Sequence, residues 1–200
     1  MQVSDTKTLN SVFGVPCYEW QDTISYLAMQ PSELPATKAF RFIFAAAIIS
    51  IDEASRTPQL LLIQRSSNRQ KALGKWELPG GKISTDASSV EEALRGKIFW
   101  ETGLTVTSIL GATRRKPTIF PARPRFPEDP GMVHLTYLVQ VDAAEVLNLH
   151  EDYSTWKWVR NVEEARKLKI TFADLKTVRK AFEALSTILE RSKATGKFEA

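Results

Sequence analysis

Apolar positions follow two rhythms along this chain. From Phe40 to Ile51 (FRFIFAAAIISI) and from Gln59 to Gln64 they are nearly continuous and rich in β-branched residues. That pattern, broken by the turn-forming DEASRTP, predicts two buried strands. The alanines at 45 to 47 would also suit a helix by periodicity alone, but Pro58 and the isoleucines favour strands. Lys75 to Lys82 has strand-turn character, ended by Pro79, Gly80 and Gly81. Leu104 to Leu110 and Met132 to Val141 read as further strands, and Trp156 to Val159 as a short one.

Helical spacing takes over elsewhere. Ser88 followed by Glu91 is a capping-box pattern, so a helix should start there, run to Glu101 or Thr102 and end at Gly103. Asn161 with Glu164, and Thr171 with Asp174, mark two more helix starts. The last helix repeats Leu175, Val178, Phe182, Leu185 and Leu189, an apolar stripe suited to docking on a sheet. A short helix is expected over Tyr18 to Met29, where Trp20, Ile24 and Leu27 recur at helical spacing.

Strands and helices interleave without a regular βαβ repeat. The fold class is therefore read as α+β, an α/β/α sandwich with a mixed β-sheet between helices. Residues 1–37 carry Pro16, Pro31 and Pro35 and read as an N-terminal extension packing on a domain at 38–192, with 193–200 a flexible tail. Thr113 to Gly131 (TRRKPTIFPARPRFPEDPG) holds five prolines and five arginines or lysines in 19 residues, so a long loop is expected there. A ligand-covering role and a solvated or partner-contacting role both stay open.

Composition narrows the class. Two hundred residues with 43% hydrophobic content suit one globular domain with an extension. The single cysteine, Cys17, excludes an intrachain disulfide and a cysteine-rich zinc site, and has no recognisable partner for nucleophilic work. The start, MQVSDTKTLN, lacks the features of a secretory signal. Phe42 to Ile49, the longest strongly apolar run, falls far short of the ~20 residues a membrane helix needs. The expectation is a cytoplasmic protein without membrane contact. Twenty-seven cations against 23 anions give a net charge of +4, a mixed surface rather than a nucleic-acid footprint.

The chemistry is expected on the helix that follows the glycine turn. At 100° per residue from Val90, the residues Ala93, Leu94 and Ile98 fall within roughly 80° of it. Lys97 and Glu101 lie inside that arc, at roughly −20° and +20°, while Phe99 points the other way and Trp100 sits at the margin. A cation and an anion four residues apart thus share the inward face. Such charges must be paired or line a cleft. A structural ion pair and a ligand cleft both satisfy that demand.

Three segments then stand in a telling order: LLLIQR at 60–65, WELPGGK at 76–82 and ALRGKIFWETGL at 93–104. Together with WV at 158–159 and the final helix, they resemble the Nudix superfamily, whose members mostly hydrolyse diphosphates linked to another group. The resemblance covers most of residues 40–190 and implies the Nudix-like sandwich. Aligned backwards from Gly103, Glu101 matches a family metal ligand, Lys97 stands at another, Trp100 replaces a third acid and Gly96 replaces a supporting arginine. An alignment from Gly81 matches Arg95 to that arginine but needs a bulge, and still leaves the acids missing.

Magnesium wants several oxygen ligands, and one carboxylate beside an ammonium is a poor site. No metal ligand set and no cofactor is therefore expected, with Mg or Mn entering only if hydrolysis survives. Lys97, Glu101 and, by similarity to the family, Glu151 are the catalytic candidates. Trp100, Arg65, Glu77 and His150 are the substrate-binding candidates, Arg65 again by similarity. His134 is read as a satisfied sheet histidine. The leading expectation is a metal-poor Nudix cleft that binds a small organic or nucleotide-like molecule, with proton-transfer chemistry such as isomerisation or cyclisation. A hydrolase using Glu101, Glu77 and Glu151 around a relocated metal, and a non-catalytic binding module, remain as rivals. The partner is a small-molecule ligand rather than nucleic acid, and a dimer stays open.

Overall fold

A computed structural model describes residues 21–34, 40–51, 57–66, 73–120, 131–141 and 146–195. Eight strands form one sheet: β1 (Phe40–Ile51), β2 (Pro58–Arg65), β3 (Trp76–Glu77), β4 (Gly80–Lys82), β5 (Val106–Ala112), β6 (Thr118–Phe120), β7 (Gly131–Val141) and β8 (Tyr153–Val159). The main path runs β3-β2-β1-β7-β5, with β4 against β1, β6 against β7 and β8 against β2. β1 and β7 run parallel from Phe40↔Gly131 to Ile49↔Gln140, and the other pairings are antiparallel. The mixed sheet matches the expected fold class.

β1 is apolar from Phe42 to Ile49 because both faces of that stretch are covered. Phe42, Phe44, Ala46 and Ile48 point to one side and pack with Val90, Ala93, Leu94 and Ile98 of helix α1 (Val90–Thr102). Ala45, Ala47 and Ile49 point to the other and meet Val178, Ala181 and Leu185 of helix α3 (Phe172–Thr195). The short helix α2 (Val162–Arg166) is capped by Asn161, whose side chain accepts from the Glu164 N–H. The docking stripe of the last helix is as expected.

Several local expectations shift. The cap of α1 is Ser89, which accepts from the Glu92 N–H, one residue later than Ser88 with Glu91. Glu92 reaches back to the Ser88 N–H instead, and Glu91 is released to pair with Arg95. Residues 23–28 form a 3₁₀ turn rather than a longer helix, so Thr23 and Tyr26, three apart, share the buried face and Ile24 is exposed. Tyr18, Trp20 and Cys17 lie outside the described residues. Tyr26, Leu27 and Leu34 join the core on the α1 side, and Tyr137 donates to the Thr23 carbonyl (3.0 Å). Within the expected long loop, Thr118–Phe120 forms β6; residues 121–130 lie outside the described part. α3 continues to Thr195, so residues 193–195 are helical rather than tail.

Candidate functional site

The inward face of α1 is as the helical phase requires: Val90, Leu94 and Ile98 are fully buried, Phe99 is 60% exposed and Trp100 45% exposed. Glu101 is completely buried, and three donors hold its carboxylate. Oε1 accepts the Tyr153 hydroxyl at 2.7 Å and the Lys97 ammonium at 3.0 Å, and Oε2 accepts the Gly80 N–H at 2.7 Å. A buried carboxylate needs such partners, since an unpaired one costs several kcal/mol.

Gly80 carries its own constraint. A Cβ there would stand 2.3 Å from the Phe44 carbonyl oxygen and 2.9 Å from the Ala45 Cα, so only glycine lets the turn lie against β1. Glu101 thereby ties helix α1 to the glycine turn and to β8.

Lys97, Trp100 and His150 form a second group on the outer side of this tie. The Lys97 ammonium sits 4.1 Å from the Trp100 ring centroid, and the Trp100 and His150 rings stack at 3.7 Å. His150 is delivered by a segment that also caps α1, its N–H donating to the Glu101 carbonyl (3.1 Å). Glu151 does not join either group: its side chain is exposed, and it contributes its carbonyl to the Ser66 hydroxyl.

The cavity lies on the other face of the sheet, between β1, β7 and the start of α3. It has a volume of ≈ 370 Å³, and its polar lining is Arg65, Glu77, His134, Thr171, Asp174 and Thr177, with Gly80 and Gly81 at its edge. Lys97 and Glu101 are not part of that lining. Glu101 meets the cavity edge through the Gly80 peptide, and its charge is felt at Glu77. Arg65 and Glu77 do line it, joined by an Arg65 Nε to Glu77 Oε2 bond of 2.7 Å.

Burial holds Glu77 above the usual carboxylate range, opposed by the Arg65 hydrogen bond and charge and reinforced by the Asp174 and Glu101 carboxylates. Asp174 is raised by burial against the pull of its Thr171 hydrogen bond and the Arg65 and Lys75 charges. Burial works against the Arg65 charge too, but Glu77 outweighs it and its pKa is raised. His134 is pushed down to about 4 by burial, so its imidazole is neutral at pH 7. Its imidazole makes no side-chain hydrogen bond among the described residues and packs beside the Phe120 ring, which departs from the satisfied-histidine reading.

Asp174 and His134 are the site residues that sequence reasoning missed. Thr171 and Asp174 were legible only as a helix start, a role they do fill, with the Asp174 N–H donating to Thr171 Oγ1 (3.1 Å). His134 gave no signal beyond strand alternation.

A divalent cation needs oxygen lone pairs that are not already engaged. At Glu101 both oxygens are taken, by an ammonium, a hydroxyl and a peptide N–H. Among the described residues, no three His, Cys, Asp or Glu side chains gather as a ligand set. The groups around Glu101 do not fit a bound Mg or Mn ion.

Among curated proteins none matches this chain in sequence. In three dimensions it is similar to the NUDIX domain of Shewanella oneidensis NrtR in complex with ADP ribose (TM-score 0.58, 21% identity, 81% of this chain and 97% of that one). It is also similar to a MutT protein from Methanosarcina mazei Go1 (0.53, 22%, 76% and 98%) and to the binary complex of a C. elegans Ap4A hydrolase (0.53, 15%, 74% and 98%). At these identities the likeness shows the fold. The family model described as NUDIX domain matches residues 41–181, most of the chain, and the protein therefore belongs to the Nudix superfamily.

Proposed function

We propose that this Nudix protein binds a small organic, nucleotide-like molecule in the cavity between the sheet and α3, and that reaction there is proton transfer. The observation that carries this reading is the division of labour between the two carboxylate sites. Glu101 is saturated by Lys97, Tyr153 and Gly80, whereas Glu77 and Asp174 face a 370 Å³ cavity with raised pKa values. Clustered, environment-shifted titratable groups in a cavity are the physical mark of a working site.

In this assignment Arg65, Glu77, Asp174 and His134 are the contact set. Glu77 and Asp174 accept from N–H or O–H groups of the ligand or give up a proton, and neutral His134 accepts one. Isomerisation or cyclisation fits that inventory. Lys97 and Glu101 are positioning residues that hold the Gly80 turn at the cavity edge. Trp100 and His150 extend the surface beside that turn. The NrtR domain bound to ADP ribose is a precedent for a nucleotide-like ligand on this fold.

A thermal-shift screen of metabolites, run with and without EDTA, tests the proposal. Stabilisation indifferent to chelator and lost in Arg65→Gln is expected. Ligand stabilisation that survives Arg65→Gln and Glu77→Gln together would end it.

A second reading is favoured by one observation: Glu77 and Asp174 place two carboxylates in one cavity, on a fold whose neighbours include a protein named as an Ap4A hydrolase. This reading is a diphosphate hydrolase. Release of phosphate products from nucleoside diphosphate derivatives only with Mg or Mn, and abolished by Glu77→Gln, would establish it.

A further inference from the structure

A smaller pocket of ≈ 140 Å³ adjoins the main cavity and shares Phe120 and Thr177 with it. Its remaining lining is Thr113, Arg114, Thr118, Thr136, Lys176 and Lys180. The topology explains why these meet. Thr136 stands two residues beyond His134 on β7 and so faces the same side of the sheet. β6 lies against β7 with Thr118 opposite His134. Lys176, Thr177 and Lys180 recur at three- and four-residue spacing along the α3 turns above them.

The charge and hydrogen-bond balance of this pocket is one-sided. Arg114 and Lys176 have no acidic partner among the described residues, while Lys180 is engaged with Glu183 at 2.5 Å. No carboxylate lines the pocket. Thr113 and Thr136 are buried, at 9% and 6% exposure, yet neither their hydroxyls nor that of Thr118 donates to any protein acceptor among the described residues. Two cations without an acidic partner thus stand above three hydroxyls that can donate into the pocket. Hydroxyls, a guanidinium and ammonium groups that open onto one pocket are matched by a group bearing several acceptor oxygens and negative charge.

We propose that this pocket is the phosphoryl subsite of the ligand whose body occupies the neighbouring cavity. The inference rests on the proposed reading of that cavity and adds the substrate class: a phosphorylated molecule of nucleoside monophosphate type. Its polar body meets Arg65, Glu77 and Asp174, and its phosphate meets Arg114, Lys176 and the threonine hydroxyls. The phosphate end is thus held by the turn that follows β5, by β6, β7 and α3, on the side of the sheet away from the α1 helix.

Backbone amide NMR of the full chain, titrated first with inorganic phosphate and then with AMP, tests the assignment. Phosphate is expected to shift the amides of Thr113, Thr118, Thr136 and Thr177, and AMP to shift these together with Gly80 and Arg65. Arg114→Gln/Lys176→Gln should weaken phosphate binding by roughly tenfold or more, since charge-assisted contacts are lost at both positions. Thr136→Val, which keeps the shape and removes a hydroxyl, should weaken it while changing the spectrum of the free protein only around position 136. Arg65→Gln should leave phosphate binding intact while abolishing the AMP shifts at Gly80. Phosphate shifts centred on Lys97 and Trp100, or an affinity unchanged in the double variant, would overturn the subsite. If those failures coincide with chelator-independent ligand stabilisation that Arg65→Gln removes, the subsite falls and the proposed function stands.

Discussion

Replacing Lys97 with methionine removes the ammonium from the Glu101 carboxylate while keeping most of the side chain's length and its packing on Trp100. Breaking a buried ion pair costs about 3–5 kcal/mol when the remaining charge is left without other partners. Here the Tyr153 hydroxyl and the Gly80 N–H remain, and the lysine side chain is 24% exposed, so water can enter. The expected cost is therefore smaller, about 2 kcal/mol, which for a domain of this size lowers Tm by about 4–8 °C. Glu101→Gln alone is also destabilising, because its amide NH₂ must face one of three donors. With both changes the ammonium no longer confronts the amide, and a double-mutant cycle in urea should show a coupling of about 1–2 kcal/mol. Lys97→Met costing less than about 0.5 kcal/mol, or additivity within that margin, would refute the idea that this pair ties α1 to the glycine turn.

Other perturbations probe the rest of the frame. Gly80→Ala sets a methyl 2.3 Å from a backbone oxygen, and a loss of roughly 3 kcal/mol in chemical denaturation is expected. Ile98→Ala should cost about 2–5 kcal/mol, and Phe99→Gln less than about 0.5, so equal midpoints for the two would contradict the phase of α1. His134 takes up its proton at about 4 in the folded state and at 6.5 when free, so the unfolded state binds more protons in between. Stability should therefore fall as pH drops from 6.5 to about 4, by up to roughly 3 kcal/mol from this residue. Glu77 and Asp174, raised in the fold, act in the opposite sense, contributing stability at low pH that is lost as pH rises through their folded values. The difference between the protein and His134→Gln isolates the histidine, and parallel pH curves for the two would contradict its burial.

Local and distant information were unequally readable in the chain. The phase of α1, its Gly103 end with φ 72°, the inward Lys97 and Glu101 and the exposed Phe99 all follow from spacing within 14 residues, and spacing survives folding. The Ser88 cap was misplaced by one because Ser88 and Ser89 offer the same hydroxyl, and the choice between Glu91 and Glu92 depends on Arg95 and the strand beyond it. What converges on the cavity was harder to see. Arg65, Glu77, His134 and Asp174 come from four elements up to about a hundred residues apart, and only the packing of α3 across the sheet brings them together. Asp174 had a sufficient local role as a cap partner, which concealed a second one. Tyr153, the third holder of Glu101, looked in sequence like an ordinary strand residue.

The parallel ladder between β1 and β7 has a temporal side. Its ten residue pairs join positions 40–49 to 131–140, so the centre of the sheet closes a loop of about ninety residues. During synthesis the apolar run FIFAAAIISI emerges long before the strand that covers its open edge, with only β2 and β4 available as early neighbours. A waiting edge of this kind is a template for wrong pairing, and contacts so far apart in the chain form slowly. A ribosome releasing this chain thus holds an unfinished sheet until residue 140 has cleared the exit tunnel, and truncation short of that point leaves its stickiest strand bare.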